Sequence, residues 1–184
     1  MARALSLRPA TAGDRRALWL LHSRSVEVLC QGAYAPHELS TWVELLRPDG
    51  YLQPEQQRTV LVAERGLSLV GFGQLDAFLG EVEALYVAPE AAGHGVGSAL
   101  LGSMEALAWQ QGAQMLSLDA SLNAEGFYQA RGYVRLHSAQ RILTPLVHLA
   151  CVRMRKQRPA LALHRAETRG EQRGEPLRSP RPGP

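Results

Sequence analysis

The chain has 184 residues, enough for one domain with a sizeable core, and a hydrophobic content of 46% excludes a chain that is disordered throughout. Its formal net charge of +3 is carried entirely by residues 157–184, where six arginines stand against three glutamates, so the basic balance gives no sign of a nucleic-acid face on the first 156 residues, whose charges cancel. The two cysteines, Cys30 and Cys151, form no C-x-x-C pair, which excludes a zinc knuckle or a disulfide framework, and no apolar run has the length of a secretory signal or a membrane span.

Residues 4–10 alternate like a first strand, and Thr11 with Asp14 makes a helix start for the leucine-rich segment ending at Leu29. Pro36 opens a second helix through Leu46, and RPDGYLQPEQQ reads as a loop. RTVLVAER and SLVGFGQLDAFL form a hairpin across Arg65-Gly66, and EVEALYV is the next strand. A helix over 97–110 buries Leu100, Met104, Leu107 and Ala108. MLSLDA is a strand, a short helix bears Tyr128, and strands follow near 133–143 and 147–154. Consecutive hairpin strands mixed with helices predict an α+β (mixed α/β) domain over 1–156, with a central, mostly antiparallel twisted sheet flanked by helices. Residues 157–184, rich in Arg, Glu, Gly and Pro, predict a disordered Arg/Pro-rich C-terminal tail.

The most informative stretch is LYVAPEAAGHGVGSALL, residues 85–101, where an apolar strand turns through Gly93, Gly95 and Gly97 into a helix. Glycines let the backbone approach a ligand, so amides at the helix N-terminus can converge on an anion. A dinucleotide fingerprint would need glycine at Ser98, and a Walker loop would need a lysine that this chain, whose single lysine is Lys156, does not have there. What remains suits a pyrophosphate that is held but not cleaved, as in coenzyme A.

These residues resemble the GNAT superfamily of acyl-CoA-dependent N-acetyltransferases. A-G-H-G-V-G, from Ala92 to Gly97 after L-Y-V-A-P, is similar to the family's Q/R-x-x-G-x-G/A, with Ala92 standing where the family has Gln or Arg. SLNAEGFYQARGYV, residues 121–134, resembles the N-x-x-A-x-x-F-Y-x-x-x-G-F element, with Asn123, Phe127, Tyr128, Gly132 and Tyr133 in place. CQGAYAPHELSTW, residues 30–42, is similar to an entry helix of a small-molecule branch. The resemblance implies a GNAT-like fold binding acetyl-CoA as co-substrate without a metal. It places the coenzyme on Leu85, Tyr86, Val87, Gly93, His94, Gly95, Val96, Gly97, Ser98, Asn123 and Tyr128. Asn123 can also cap the helix that follows it.

Attack on a thioester needs a neutral amine. An alkyl ammonium near pKa ~10.4 costs ~4 kcal/mol to deprotonate at neutrality and an α-amine near ~8 only about 1, so a general base matters more for alkyl amines. Strand alternation puts Glu81 and Glu83 on one face with Leu85 and Val87. Glu83 falls where the superfamily often carries the acidic residue that takes the amine proton, with Glu81 as the second candidate. Tyr128 is the candidate acid for the departing thiolate. By the resemblance, the first two helices cover the acceptor, so Tyr34, His37 and Trp42 line its pocket, and Asp119 and Ser121 face the same cleft. Cys30, His37 and Tyr34 lack the third ligand of a metal site, and a thiol nucleophile is disfavoured.

The expected activity is transfer of an acetyl group from acetyl-CoA to a primary amine by direct attack in a ternary complex. The expected setting is cytoplasmic, as monomer or homodimer, with a small amine or peptide acceptor and neither nucleic acid nor membrane as partner. The alternative is a non-catalytic acyl-CoA sensor on the same fold. Aminoglycosides, polyamines, amino acids and protein termini all fit the sequence as acceptors.

Overall fold

A computed structural model of the chain describes residues 4–52 and 58–160. Most of the tail expected to be disordered therefore lies outside the described residues, although the domain runs slightly past its expected end because the last strand continues to Gln157. The elements follow the order β1 (Leu5–Pro9), α1 (Arg15–Leu29), α2 (Pro36–Leu45), β2 (Thr59–Arg65), β3 (Ser68–Asp76), β4 (Glu81–Val87), α3 (Val96–Gln110), β5 (Met115–Ser121), α4 (Glu125–Gln129), β6 (Val134–Ile142) and β7 (His148–Gln157).

The start of α1 is set locally, as Thr11 and Asp14 foretell. The Thr11 amide and hydroxyl donate to Asp14 Oδ2 at 2.7 and 2.9 Å, and Arg8 holds the same carboxylate at 2.8 and 2.9 Å. Those bonds push the Asp14 carboxyl far below its usual range, Arg8 being the main cause. At α2, Pro36 occupies the first turn and the Glu38 carboxylate accepts from Ala35 N–H at 2.7 Å.

The seven strands form one sheet in the order β1-β2-β3-β4-β5-β7-β6. Every neighbouring pair is antiparallel except β4 and β5, which run parallel because α3 connects them. Helices cover both faces. Gly71 and Gly73 of β3 meet α3 so closely that an added Cβ would lie 2.8 Å from Val96 Cγ1 and 2.6 Å from Met104 Cε, respectively. Phe72 between them faces the other way, toward His22 of α1 and Tyr51. On α3 the buried residues are Val96, Leu100, Leu101, Met104 and Ala108; Leu107, expected inside, is only partly buried. Full burial of side chains such as Leu100 and Met104 contributes about 1.5–3 kcal/mol each.

Two irregularities open the middle of this sheet. The β4–β5 ladder is confined to Glu81↔Ser117, where Ser117 N–H donates to Gly80 O at 2.8 Å, and beyond it the two strands do not pair. On the other side of β4, Leu75 pairs with Val82 and Gln74 with Ala84, leaving Glu83 as the extra residue of a β-bulge. The simple alternation from Glu81 through Val87 is thus interrupted at the residue the sequence singles out.

Candidate active site

The opening between β4 and β5 joins three spaces. A cleft of about 590 Å³ lies on the glycine-loop side, walled by the end of β4, the start of α3 and α4. A cavity of about 700 Å³ lies on the α1–α2 side. A narrow passage of about 60 Å³ lies between, and Glu83, Tyr86, Tyr128 and Arg141 all line it.

In the first cleft the polar donors are backbone. Gly93 and Gly95 adopt φ of 75° and 81°, and Gly95 is the left-handed N-cap of α3. The amides of Val96, Gly97 and Ser98 are the free donors of the first turn and donate to no partner among the described residues. The Val96 side chain is buried in the core, which anchors that turn. His94 departs from expectation: its N–H turns inward onto Ala91 O at 3.4 Å and its ring lies against Ala92 O, so the converging amides begin after it. Leu85 and Val87 line the cleft. Asn123 lines it too, but its side chain donates to Leu29 O at 3.0 Å and does not cap α4, whose N-cap Ala124 receives no side-chain bond. It ties the β5–α4 turn to the end of α1.

Sequence reasoning missed Arg131. Its guanidinium lies 3.7 Å over the Phe127 ring, donates to Phe127 O at 2.8 Å and bonds Ser98 Oγ. It supplies the cation at this loop that Ala92 does not. The signal was present in FYQARGY, where Arg131 follows Phe127 by one helical turn.

Tyr128 is buried, packed edge-on against Phe127 and Tyr133 with centroids 5.1 and 5.6 Å apart. Its hydroxyl has no hydrogen-bond partner among the described residues, and burial raises its pKa well above the usual range, so it keeps its proton. Glu83 Oε2 receives Gln74 Nε2 at 2.7 Å and lies 2.5 Å from Arg58 Nε. Glu81 is held by Arg153 at 2.5 and 2.7 Å, and Asp119 Oδ1 lies 3.3 Å from the same guanidinium. Both line the larger cavity.

The acceptor-side residues divide. Tyr34 and Trp42 line the passage. Tyr34 is also a structural tie, donating to Ala150 O at 2.7 Å and accepting from Leu122 N–H at 3.0 Å. His37 does not belong: it is exposed on the first turn of α2 and lines none of the three spaces. The histidine in the wall is His22, which carries no motif. It is buried, with Nδ1 2.8 Å from Tyr51 Oη, its ring lying 3.7 Å from that of Tyr86. Burial, with the charge of Arg141 second, pushes its pKa down to about 3, so the ring is neutral. Burial pushes the Cys30 thiol up to about 11 and raises that of Cys151, which argues against either as a nucleophile. Among the described residues no three His, Cys, Asp or Glu side chains form a metal cluster.

The acetyltransferase (GNAT) domain family model matches residues 30–157. The chain belongs to the GNAT acetyltransferase family. This GNAT domain is 27% identical to a GCN5-related N-acetyltransferase from Rhodopseudomonas palustris, with a TM-score of 0.78 over 85% of this chain and 98% of that one. In fold it also resembles the PaiA N-acetyltransferase of Thermoplasma acidophilum, solved in complex with coenzyme A (TM-score 0.70, 21% identity, 84% and 99% covered). A third likeness is to yncA of Salmonella typhimurium, solved with its cofactor acetyl-CoA (TM-score 0.63, 20% identity, 86% and 96% covered). No curated protein matches the sequence significantly. The mixed α/β fold, with its seven-stranded sheet flanked by helices, matches that of these structures.

Proposed function

We propose that this GNAT protein transfers an acetyl group from acetyl-CoA to a primary amine by direct attack within a ternary complex. The observation that carries the reading is the passage: a carboxylate and a protonated phenol line one narrow channel between an amide-rich cleft and a second cavity. The complexes of PaiA with coenzyme A and of yncA with acetyl-CoA support the choice of co-substrate.

The residues present fit that co-substrate. The unpaired amides of Val96, Gly97 and Ser98, with Arg131 beside them, suit a pyrophosphate, each charge-assisted bond contributing on the order of 1.5–3 kcal/mol. The unpaired edges of β4 and β5 suit an amide-bearing arm lying between them. Glu83 accepts the proton of the incoming ammonium at a carboxylate oxygen, with Gln74 and Arg58 fixing its orientation. The neutral amine forms the new C–N bond at the thioester carbonyl, its nitrogen sheds its second proton to water, the C–S bond breaks, and the Tyr128 hydroxyl hydrogen-bonds and protonates the departing sulfur. Tyr128 recovers its proton from solvent.

The test is a thiol-release assay with acetyl-CoA across classes of primary amine, with product mass as the second readout. An acetylated amine formed at a rate that saturates in both substrates is the expected result. Coenzyme binding by calorimetry with no thiol release against any amine would instead leave an acyl-CoA-binding module.

A further inference from the structure

We propose that the acceptor carries a carboxylate close to its reacting amine, and that Arg141, aided by Arg47, receives it. The inference rests on the acetyl-transfer reading above and narrows its acceptor from amines in general to amino acids and closely related compounds.

The charges around the larger cavity do not cancel. Among the described residues its wall holds three carboxylates, Glu81, Glu83 and Asp119, and three guanidinium groups, Arg47, Arg58 and Arg141. Two guanidinium groups, Arg153 and Arg58, answer all three carboxylates. Arg153 takes both oxygens of Glu81 and approaches Asp119, and Arg58 sits against Glu83. The wall's own arginines are not all matched in return. Arg47 bonds the main-chain oxygens of Glu44 and Leu46, which satisfies donors without cancelling charge. Arg141 makes no hydrogen bond or ion pair with any of the described residues. His22 adds no charge, since it is neutral.

With Arg153 counted, four guanidinium groups face three carboxylates, and the surplus positive charge, on exposed Arg47 and Arg141 in a concave space, attracts an anion and repels cations. A polyamine or an aminoglycoside would bring several more positive charges into it, so two acceptor classes compatible with the sequence become unfavourable. An amine that carries its own carboxylate supplies what the wall lacks. Position sets the spacing between the two groups. Arg141 lines both the larger cavity and the narrow passage in which Glu83 and Tyr128 stand, and its charge is felt at His22 and at the Tyr86 hydroxyl. A carboxylate on Arg141 is therefore next to the amine that Glu83 deprotonates, as in an amino acid. Arg141 lies near the end of β6, paired with Leu149 of β7, and lines both spaces, so its guanidinium can present the planar fork that binds carboxylates in two-point fashion.

Matched pairs test this with the full chain and acetyl-CoA: L-phenylalanine against phenethylamine, L-methionine against 3-(methylthio)propylamine, L-lysine against cadaverine, and β-alanine against phosphoethanolamine. The expected result is a kcat/KM at least about ten-fold higher for the carboxylated member of one or more pairs, falling toward equality in Arg141→Gln and partly restored in Arg141→Lys. Acetylation of decarboxylated amines as fast as, or faster than, their partners would overturn the inference while leaving acetyl transfer intact. So would a selectivity ratio that Arg141→Gln leaves unchanged, and preference for phosphoethanolamine would replace carboxylate by phosphate. Thiol release from no member of any pair would bring down the acetyl-transfer reading, and this inference with it.

Discussion

The proposed coenzyme cleft and the proposed acceptor cavity meet at one passage but are assembled differently. The cleft draws most of its polar groups from a single continuous run, Gly93 to Ser98, with Arg131 and Asn123 from a second short block. The cavity gathers its charged groups from the end of α2, the chain before β2, β4, β5 and β6, with Arg153 of β7 behind them. A site made of main-chain amides accepts many side-chain changes as long as the backbone path survives. A site made of paired charges changes its preference whenever one member changes. The same fold can therefore hold one coenzyme while varying the acceptor.

That contrast is broken most directly at Gly95. Its φ of 81° is a conformation in which a β-branched residue is strained, yet an added Cβ would meet nothing within 4 Å. Gly95→Val should therefore fold while the first turn of α3 re-aims its amides. Loss of two such bonds predicts a coenzyme affinity lower by on the order of 10²–10⁴-fold, read by calorimetry on protein whose circular dichroism is unchanged. Unaltered affinity in the folded variant would show that the amides are not the phosphate site.

Across the passage the corresponding change is Glu83→Gln. It should lower kcat by ~10²–10³-fold at neutral pH, with partial recovery as rising pH supplies neutral amine from solution. A flat, wild-type-like profile would transfer the role to Glu81 or to bound water, although the grip of Arg153 on both oxygens of Glu81 makes that residue the poorer base. Tyr128→Phe should cost less, about 10²-fold in kcat, with coenzyme affinity little changed. Because burial raises the Tyr128 pKa, the wild-type rate should not decline between pH 7 and 10 through loss of that proton. A decline in that range that disappears in Tyr128→Phe would contradict the assignment.

How far each region was legible in the sequence follows from the same difference. EVEALYV is β4 residue for residue, and the glycine loop leads into α3 within one position, because turn chemistry and periodicity are local. The order of the strands in the sheet, and the splitting of β4 from β5, are not local properties and came only with the fold. The Glu83 bulge was hidden for a similar reason: it arises from how β4 registers with β3, and EVEALYV read alone looks like regular alternation. His37 was drawn into the pocket by its place in an entry-helix pattern, but position on the helix face turns it to solvent. His22, Arg58, Arg141 and Arg153 carry no motif, and nothing short of the tertiary structure brings the first three to one wall with Arg153 behind it.

The smallest expected effect concerns His22, which makes the acceptor side sensitive to acid in a way the backbone-built side is not. Its folded pKa is about 3, lowered chiefly by burial and secondly by Arg141, whereas the unfolded chain should titrate near 6.5. The neutral form is the one the fold accepts, so the stabilisation is fully present above pH 6.5 and is lost as pH falls from there toward 3, because the unfolded state takes up the proton first. From pH 6.5 to 4.5 this one group should cost about 2 kcal/mol of unfolding free energy, a window above that in which the Arg8–Asp14 pair is protonated apart. Urea midpoints of the wild type and of His22→Phe, compared at the two pH values, isolate the effect. The variant starts lower because Tyr51 loses its partner, but it should lose less stability on acidification. Equal losses in the two proteins would mean that the ring is protonated inside the fold, and the charge balance drawn for the acceptor cavity would then have to include one more positive group.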